Sequence, residues 1–142
     1  MSLSTDLLKD QLKRDEGFVP HAYEDHLGYL TLGYGFLVDK RKGGQIPQEV
    51  AEFWMDWLLD RIAADLARRA PWLADQPEPV VRAIHNMAYQ MGVTGVLKFR
   101  NMIAALQDGD REKAALEALD SLWARQTPER AQRIAALIRG SE

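Results

Sequence analysis

Phe18 to Val38 is the stretch of this 142-residue chain in which the helical apolar period is lost. Aromatic residues, leucines, a threonine and glycines take its place: FVPHAYEDHLGYLTLGYGFLV. That composition suggests short strands and turns, with His26-Leu27-Gly28 as one turn. If residues 29–34 form a strand, Tyr29, Thr31 and Gly33 share one face and Leu30, Leu32 and Tyr34 the other. Lys40 to Gly44 reads as a basic, glycine-containing turn. The rest of the chain is helical in pattern, so the fold must fit a small β element just after the first helix.

That first helix starts near Ser4, which can cap it, with Asp6 in the first turn and Gly17 as its stop. Leu7, Leu8 and Leu12 mark its apolar face. Further on, Val50, Phe53, Trp54, Trp57, Leu58, Ile62 and Leu66 trace a long stripe behind Pro47, a residue suited to a first turn. The Trp and Met residues read as core. Pro71 and Pro77 bracket a break. A helix with Val80, Val81, Ile84, Met87, Ala88 and Met91 follows, closed by Gly92. Thr94 can cap another, with Val96, Phe99, Ile103 and Leu106, closed by Gly109. Asp110 starts the next, with Leu116, Leu119 and Trp123. Thr127-Pro128 is a cap and first-turn pair for a last helix ending at Gly140.

Composition narrows the chemistry. A chain that is 46% hydrophobic and 27% charged, at 142 residues, fits one ordinary globular domain. A formal net charge of -3 argues against nucleic acid as a partner. Without cysteine there is no disulfide framework and no thiol nucleophile. The first residues hold no long apolar run, so neither a leader nor a membrane anchor is expected. His21, His26 and His85 do not fall at metal-ligand spacing. GYGF lacks the spacing of a phosphate loop, and there is no GxSxG. Acid–base chemistry by carboxyl groups remains.

Glu16 falls four residues after Leu12, on the apolar stripe, where it would be partly buried and at the negative end of the helix dipole. Both effects favour a protonated carboxyl. The alternative is a solvated glutamate in a last turn. Asp25, at a polar turn, has the features of an ionised partner. Glycoside hydrolysis needs such a pair across a sugar bond. Nine extended residues span roughly 30 Å. A fold-back through the β element could bring the two to about 6.5–9.5 Å, the range that leaves room for a water. Thr31, one short strand later, could hold that water. Spacing alone leaves the alternative open: acids flank many turns, and Thr favours strands.

The run Glu16-Gly17, Tyr23, Asp25, Gly28-Tyr29, Thr31 and Gly33-Tyr34-Gly35 resembles the catalytic segment of phage-type lysozymes, the muramidase endolysins of tailed bacteriophages. It has that family's eight residues between Glu and Asp and five between Asp and Thr. His85 to Phe99, HNMAYQMGVTGVLKF, resembles the family's central helix and following turn. Trp123 to Arg133, WARQTPERAQR, resembles its WxxQTPxRAxR segment, in the T-even branch above all.

The resemblance implies an α+β fold. A small β-hairpin lobe, about 17–46, would be joined by a linking helix, about 47–69, to a larger helical lobe of 1–16 and 70–142, with the substrate cleft between the lobes. It implies an inverting hydrolase of the β-1,4 bond between N-acetylmuramic acid and N-acetylglucosamine. Glu16 would be the general acid, and Asp25 with Thr31 would position the water. Tyr29, Asn86, Gln90 and Phe99 would line the sugar site. Arg130 would approach Glu16, and Arg133 would pair with Asp15. No metal or organic cofactor is implied. The partner would be the peptidoglycan glycan strand, not nucleic acid or membrane, and the chain a monomer. It would accumulate in the host bacterial cytoplasm and reach periplasmic peptidoglycan after a separate protein permeabilises the membrane.

Phe36 stands where many relatives have histidine, and the acidic balance differs from the basic character of many endolysins. Two competing readings share the fold. One is an inactive peptidoglycan-binding or phage structural module, which would need no Glu16–Asp25–Thr31 arrangement. The other is a transglycosylase, which would need no water held by Asp25 and Thr31.

Overall fold

The computed structural model describes residues 4–38 and 44–141. Apart from Gly44, the expected basic turn at 40–44 lies outside the described residues. The chain separates into two compact units, Met1–Phe53 and Trp54–Glu142. The architecture is α+β and mostly helical, as the sequence patterns require. No helix among the described residues is long and apolar enough to cross a membrane.

In the first unit, helix α1 runs Thr5–Glu16. Ser4 caps it, its Oγ accepting from the Leu7 N–H at 3.4 Å. Gly17 stops it at φ +70°, a conformation few other residues adopt. Helix α1 buries no side chain. Leu7 and Leu12 are exposed, and so is Glu16. The partial burial expected for Glu16 is therefore not found: three leucines make too thin a stripe to bury the helix end.

Three antiparallel strands follow in sheet order β1 (Val19–Glu24), β2 (Leu30–Gly33) and β3 (Phe36–Leu37). The expected hairpin thus carries a third, two-residue strand. Its turn falls at His26-Leu27-Gly28, as anticipated. Strand β2 alternates, with Thr31 and Gly33 buried and Leu30 and Leu32 half-buried. Thr31 faces Tyr23 on β1 and Leu37 on β3. The β1 register is irregular between Val19 and Tyr23, the span that holds Pro20, which has no N–H for the ladder. No apolar side chain of this unit is fully buried among the described residues. Ring contacts stand in for a core. Phe18 lies 5.3 Å from Tyr34, Tyr34 lies 6.3 Å from Phe36, and Lys13 sits 5.7 Å over the Tyr34 ring.

The boundary between the units falls within α2 (Gln48–Arg69). Of its long stripe only Leu66 is buried; Leu58 and Ile62 are half-buried, and Val50, Phe53, Trp54 and Trp57 are exposed. The stripe reaches the helical core only at its C-terminal end, so Trp54, Met55 and Trp57 are exposed and not the core residues expected. The Arg61 guanidinium lies 4.6 Å from the Trp57 ring centre.

A 3₁₀ turn, Pro71–Asp75, fills the expected break, and α3 runs Glu78–Met91 to Gly92. The single helix expected from Thr94 to Gly109 is two helices, α4 (Val93–Leu97) and α5 (Arg100–Gln107). Thr94 lies inside α4 rather than capping it, and its hydroxyl accepts from Arg69 at 3.1 Å. The break at Lys98-Phe99 coincides with an edge-to-face contact of Phe99 on Trp123, ring centres 6.0 Å apart. Asp110 caps α6 (Arg111–Leu119) through the Lys113 N–H. Ser121 then starts α7 (Leu122–Gln126), so Trp123 sits on its own short helix. Helix α8 (Pro128–Arg139) ends at the left-handed Gly140.

The core of this unit mixes large side chains with a run of small ones. Leu66, Ile84, Met87, Met102, Leu106, Ile134 and Ile138 are fully buried. Ala83, Ala114, Ala115, Ala118, Ala131 and Ala135 are wholly inaccessible, on helices α3, α6 and α8. Alanine lets those helices approach closely, since little stands between their backbones.

Arg111 ties the unit's end down. Its Nε donates to the Ile138 carbonyl at 2.7 Å and one Nη to Leu137 at 3.2 Å. These carbonyls belong to the last turn of α8, where backbone donors run out: Leu137 also accepts from the Gly140 N–H at 3.2 Å, and Ile138 relies on the arginine. We expect Arg111→Met to destabilise the helical unit by about 1.5–3 kcal/mol, the usual worth of hydrogen bonds to a charged donor. Urea denaturation would measure it, and a change below ~0.5 kcal/mol would show that water replaces the arginine freely.

Candidate active site

Four of the residues singled out for chemistry fall together in the first unit. Asp25 follows β1, and its backbone N–H donates to the Tyr29 carbonyl at 2.8 Å, closing the turn. Its carboxylate Oδ1 accepts from the Leu27 N–H and the Tyr29 N–H, both at 2.9 Å. The local sequence explains this: Asp side chains bond backbone donors two residues on, and Gly28, at φ +83°, lets the chain turn. The Tyr29 donor foremost, with that of Leu27, holds the Asp25 carboxyl below its usual pKa, against an opposing desolvation. Oδ2 carries no hydrogen bond among the described residues.

Thr31 is tied to the same turn. Its hydroxyl donates to the Tyr29 carbonyl at 3.2 Å. The Tyr29 backbone thus links Asp25 and Thr31: its N–H donates to the Asp25 carboxylate and its carbonyl accepts from the Thr31 hydroxyl and the Asp25 N–H. Among the described residues, Thr31 is the one buried polar residue, 6% exposed.

Glu16 approaches the sheet from the end of α1. Its carboxyl lies against Gly35, in the turn between β2 and β3: a Cβ built on Gly35 would stand 2.5 Å from Glu16 Oε2. The acid therefore rests on the chain segment that leaves the Thr31 strand.

The second unit holds the remaining candidates except Asp15. Asn86, on the outer side of α3, accepts from Arg130 of α8: Nε and one Nη reach its Oδ1 at 3.0 and 2.8 Å. The same Nη reaches the Asn86 carbonyl at 3.3 Å. Gln90 accepts from the Trp123 indole N–H at 2.9 Å. Phe99 contacts the same Trp123 ring. Asp15 and Arg133 are each exposed, one in each unit. A groove of about 690 Å³ within this unit is lined by Asn86, Tyr89, Arg130 and His85, among others. The His85 Nδ1 is 2.7 Å from the Val81 carbonyl, which makes it the protonated nitrogen.

No three His, Asp or Glu residues gather as metal ligands would among the described residues. Two carboxyl groups and a hydroxyl, those of Glu16, Asp25 and Thr31, lie in the first unit at the sequence gaps of eight and five residues. The phage lysozyme family matches this chain over residues 13–140. The chain belongs to the phage lysozyme family.

With that family it falls among the glycoside hydrolases. The chain is 34% identical to the pre-baseplate central spike protein Gp5 of Enterobacteria phage T4, over 92% of its own length and 27% of the spike protein's. It is 27% identical to probable T4-type lysozyme 1 of Dictyostelium discoideum, covering 92% of each. It is 28% identical to peptidoglycan hydrolase gp36 of Pseudomonas phage phiKMV, over 87% of this chain and 14% of that protein. The chain thus spans about a quarter of the spike protein but nearly all of the Dictyostelium lysozyme.

Two features of this phage lysozyme domain escape sequence reasoning. Tyr89 lies on the exposed side of α3 beside Asn86 and lines the groove. Its signal is that it falls outside the stripe of Val80, Ile84, Met87, Ala88 and Met91. Gly35 is the other, and its role depends on a contact nineteen residues away in sequence.

Proposed function

We propose that this chain is an endolysin-type lysozyme that hydrolyses the β-1,4 bond between N-acetylmuramic acid and N-acetylglucosamine in bacterial peptidoglycan, with inversion. One observation carries the reading: in the first unit the Glu16 carboxyl lies against the turn that leaves the Thr31 strand, and Asp25 and Thr31 are joined through Tyr29. Glu16 is the proton donor to the leaving oxygen. Its exposure suits a group that must reach substrate. Asp25, kept ionised by its backbone donors, presents Oδ2 to the attacking water. The Thr31 hydroxyl, its hydrogen committed to the Tyr29 carbonyl, keeps lone pairs to receive a hydrogen from that water. Water attack opposite the leaving group inverts the anomeric carbon. Tyr29 in the first unit and Asn86, Gln90 and Phe99 in the second are the candidate sugar contacts, and Arg130 orients Asn86. In this reading the chain works as a monomer without a cofactor, on periplasmic peptidoglycan, after a separate protein opens the host membrane.

Digestion of purified peptidoglycan tests it, with mass spectrometry and proton NMR of the products. Reducing-end products carrying one added water, released first in the anomeric form opposite to the bond cleaved, are expected. Anhydro products would assign a transglycosylase instead, and no products an inactive wall-binding module.

A second deployment of the same chemistry is favoured by the 34% identity to a baseplate spike protein. There the domain would act during entry, as part of the particle. Immunodetection in purified particles, rather than only in the lysate, would assign that role.

A further inference from the structure

We propose that Gly35 is a positioning residue for Glu16: its bare Cα is the seat on which the carboxyl rests. The proposal deepens the reading of Glu16 as proton donor and rests on it. A Cβ at Gly35 would stand 2.5 Å from Glu16 Oε2, 3.2 Å from Cδ and 3.5 Å from Cβ. Real Cβ atoms do not come so near an oxygen, so a side chain at 35 and the carboxyl in its present place exclude one another.

Comparison with the other glycines sets Gly35 apart. Gly17, Gly92 and Gly109 also have positive φ, but a Cβ at each meets open space. There the backbone angle alone requires glycine. At Gly33 a Cβ would meet the Phe36 ring, a packing contact. Only at Gly35, among the glycines so compared, does the missing side chain make room for a carboxyl group of the proposed site. Glu16 needs such a seat. It is an exposed residue at a helix end, with several free torsions, on a helix that buries nothing. A flexible donor spends most of its time away from the leaving oxygen. Resting on the turn that continues β2, it is held in register with Thr31 on the same strand.

The test compares Gly35→Ala with Gly109→Ala, which imposes a similar φ strain in open space. On peptidoglycan fragments, Gly35→Ala is expected to lower kcat about 10²-fold with KM within about 2-fold, the scale of a misplaced reacting group. Gly109→Ala should leave kcat unchanged once the folded fraction is counted. Urea denaturation of Gly35→Ala, Glu16→Ala and the double variant supplies an independent reading. The loss of stability from Gly35→Ala should shrink when Glu16→Ala has removed the carboxyl, and folding only in that background would count the same way. An equal loss in both backgrounds, failure to fold in both, or unchanged kcat in folded Gly35→Ala overturns the proposal. Wild-type rates in Glu16→Gln would instead remove the donor assignment, whatever the stability cycle shows.

Discussion

Glu16→Gln should lose clearing activity on outer-membrane-permeabilised Gram-negative cells by about 10²–10⁴-fold, the range general acid catalysis supplies. Glutamine keeps the length and shape of the side chain and can still rest on Gly35, but it has no proton to give. The fold should be indifferent. Glu16 is exposed at the end of a helix that buries no side chain, so Tm should stay within about 2 °C of wild type, as for most surface substitutions. Rate loss with unchanged Tm separates chemistry from folding. Equal clearing by the two proteins would reject Glu16 as the acid.

Asp25→Asn should be nearly as damaging to rate, for a different reason. Asparagine can keep an oxygen where Oδ1 now accepts from Leu27 and Tyr29, so the turn should survive. What disappears is the negative charge facing the water. Asp25→Ala would lose both, and should show a lower Tm as well as a lower rate. The same contacts fix a pH dependence. The native carboxyl titrates below its unfolded value, so the ionised form favours folding. That contribution is fully present above the unfolded pKa of about 3.9 and is lost as pH falls through the lower native value. Wild type should therefore lose part of its Tm in acid relative to Asp25→Asn, whose Tm should fall less over that window. Parallel falls would show that the backbone donors do not stabilise the carboxylate.

The parts legible from sequence were those fixed by local chemistry. Gly17, Gly92 and Gly140 end helices where expected, Asp110 caps one and Pro128 opens another, although the Thr127 hydroxyl donates back to the Trp123 carbonyl instead of capping. The Asp25–Tyr29 turn was visible from His26-Leu27-Gly28. Errors came where neighbours decide. No glycine or proline announces the break at Lys98-Phe99, which goes with a ring contact to Trp123. The stripe on α2 has a helical period throughout, yet only Leu66 is buried, with Ile62 packed beside it against the core. Periodicity says which residues share a face, not what covers it. The burial inferred for Glu16 failed for the same reason. Within the site, residue types and gaps were legible through likeness to a family, whereas the seat at Gly35 and the Gln90–Trp123 bond join residues far apart in the chain.

The alanines buried on α3, α6 and α8 have a consequence for how this domain tolerates change. At Ala83, Ala114, Ala118, Ala131 and Ala135 there is almost nothing to delete and no void to grow into. Replacement by valine or leucine must push two backbones apart, at about 1–3 kcal/mol for each overfilled position. A substitution scan of these helices should therefore be lopsided, punishing added mass at the alanines and removed mass at the leucines and isoleucines. Attempts to stiffen the domain by filling its interior have little room to act there.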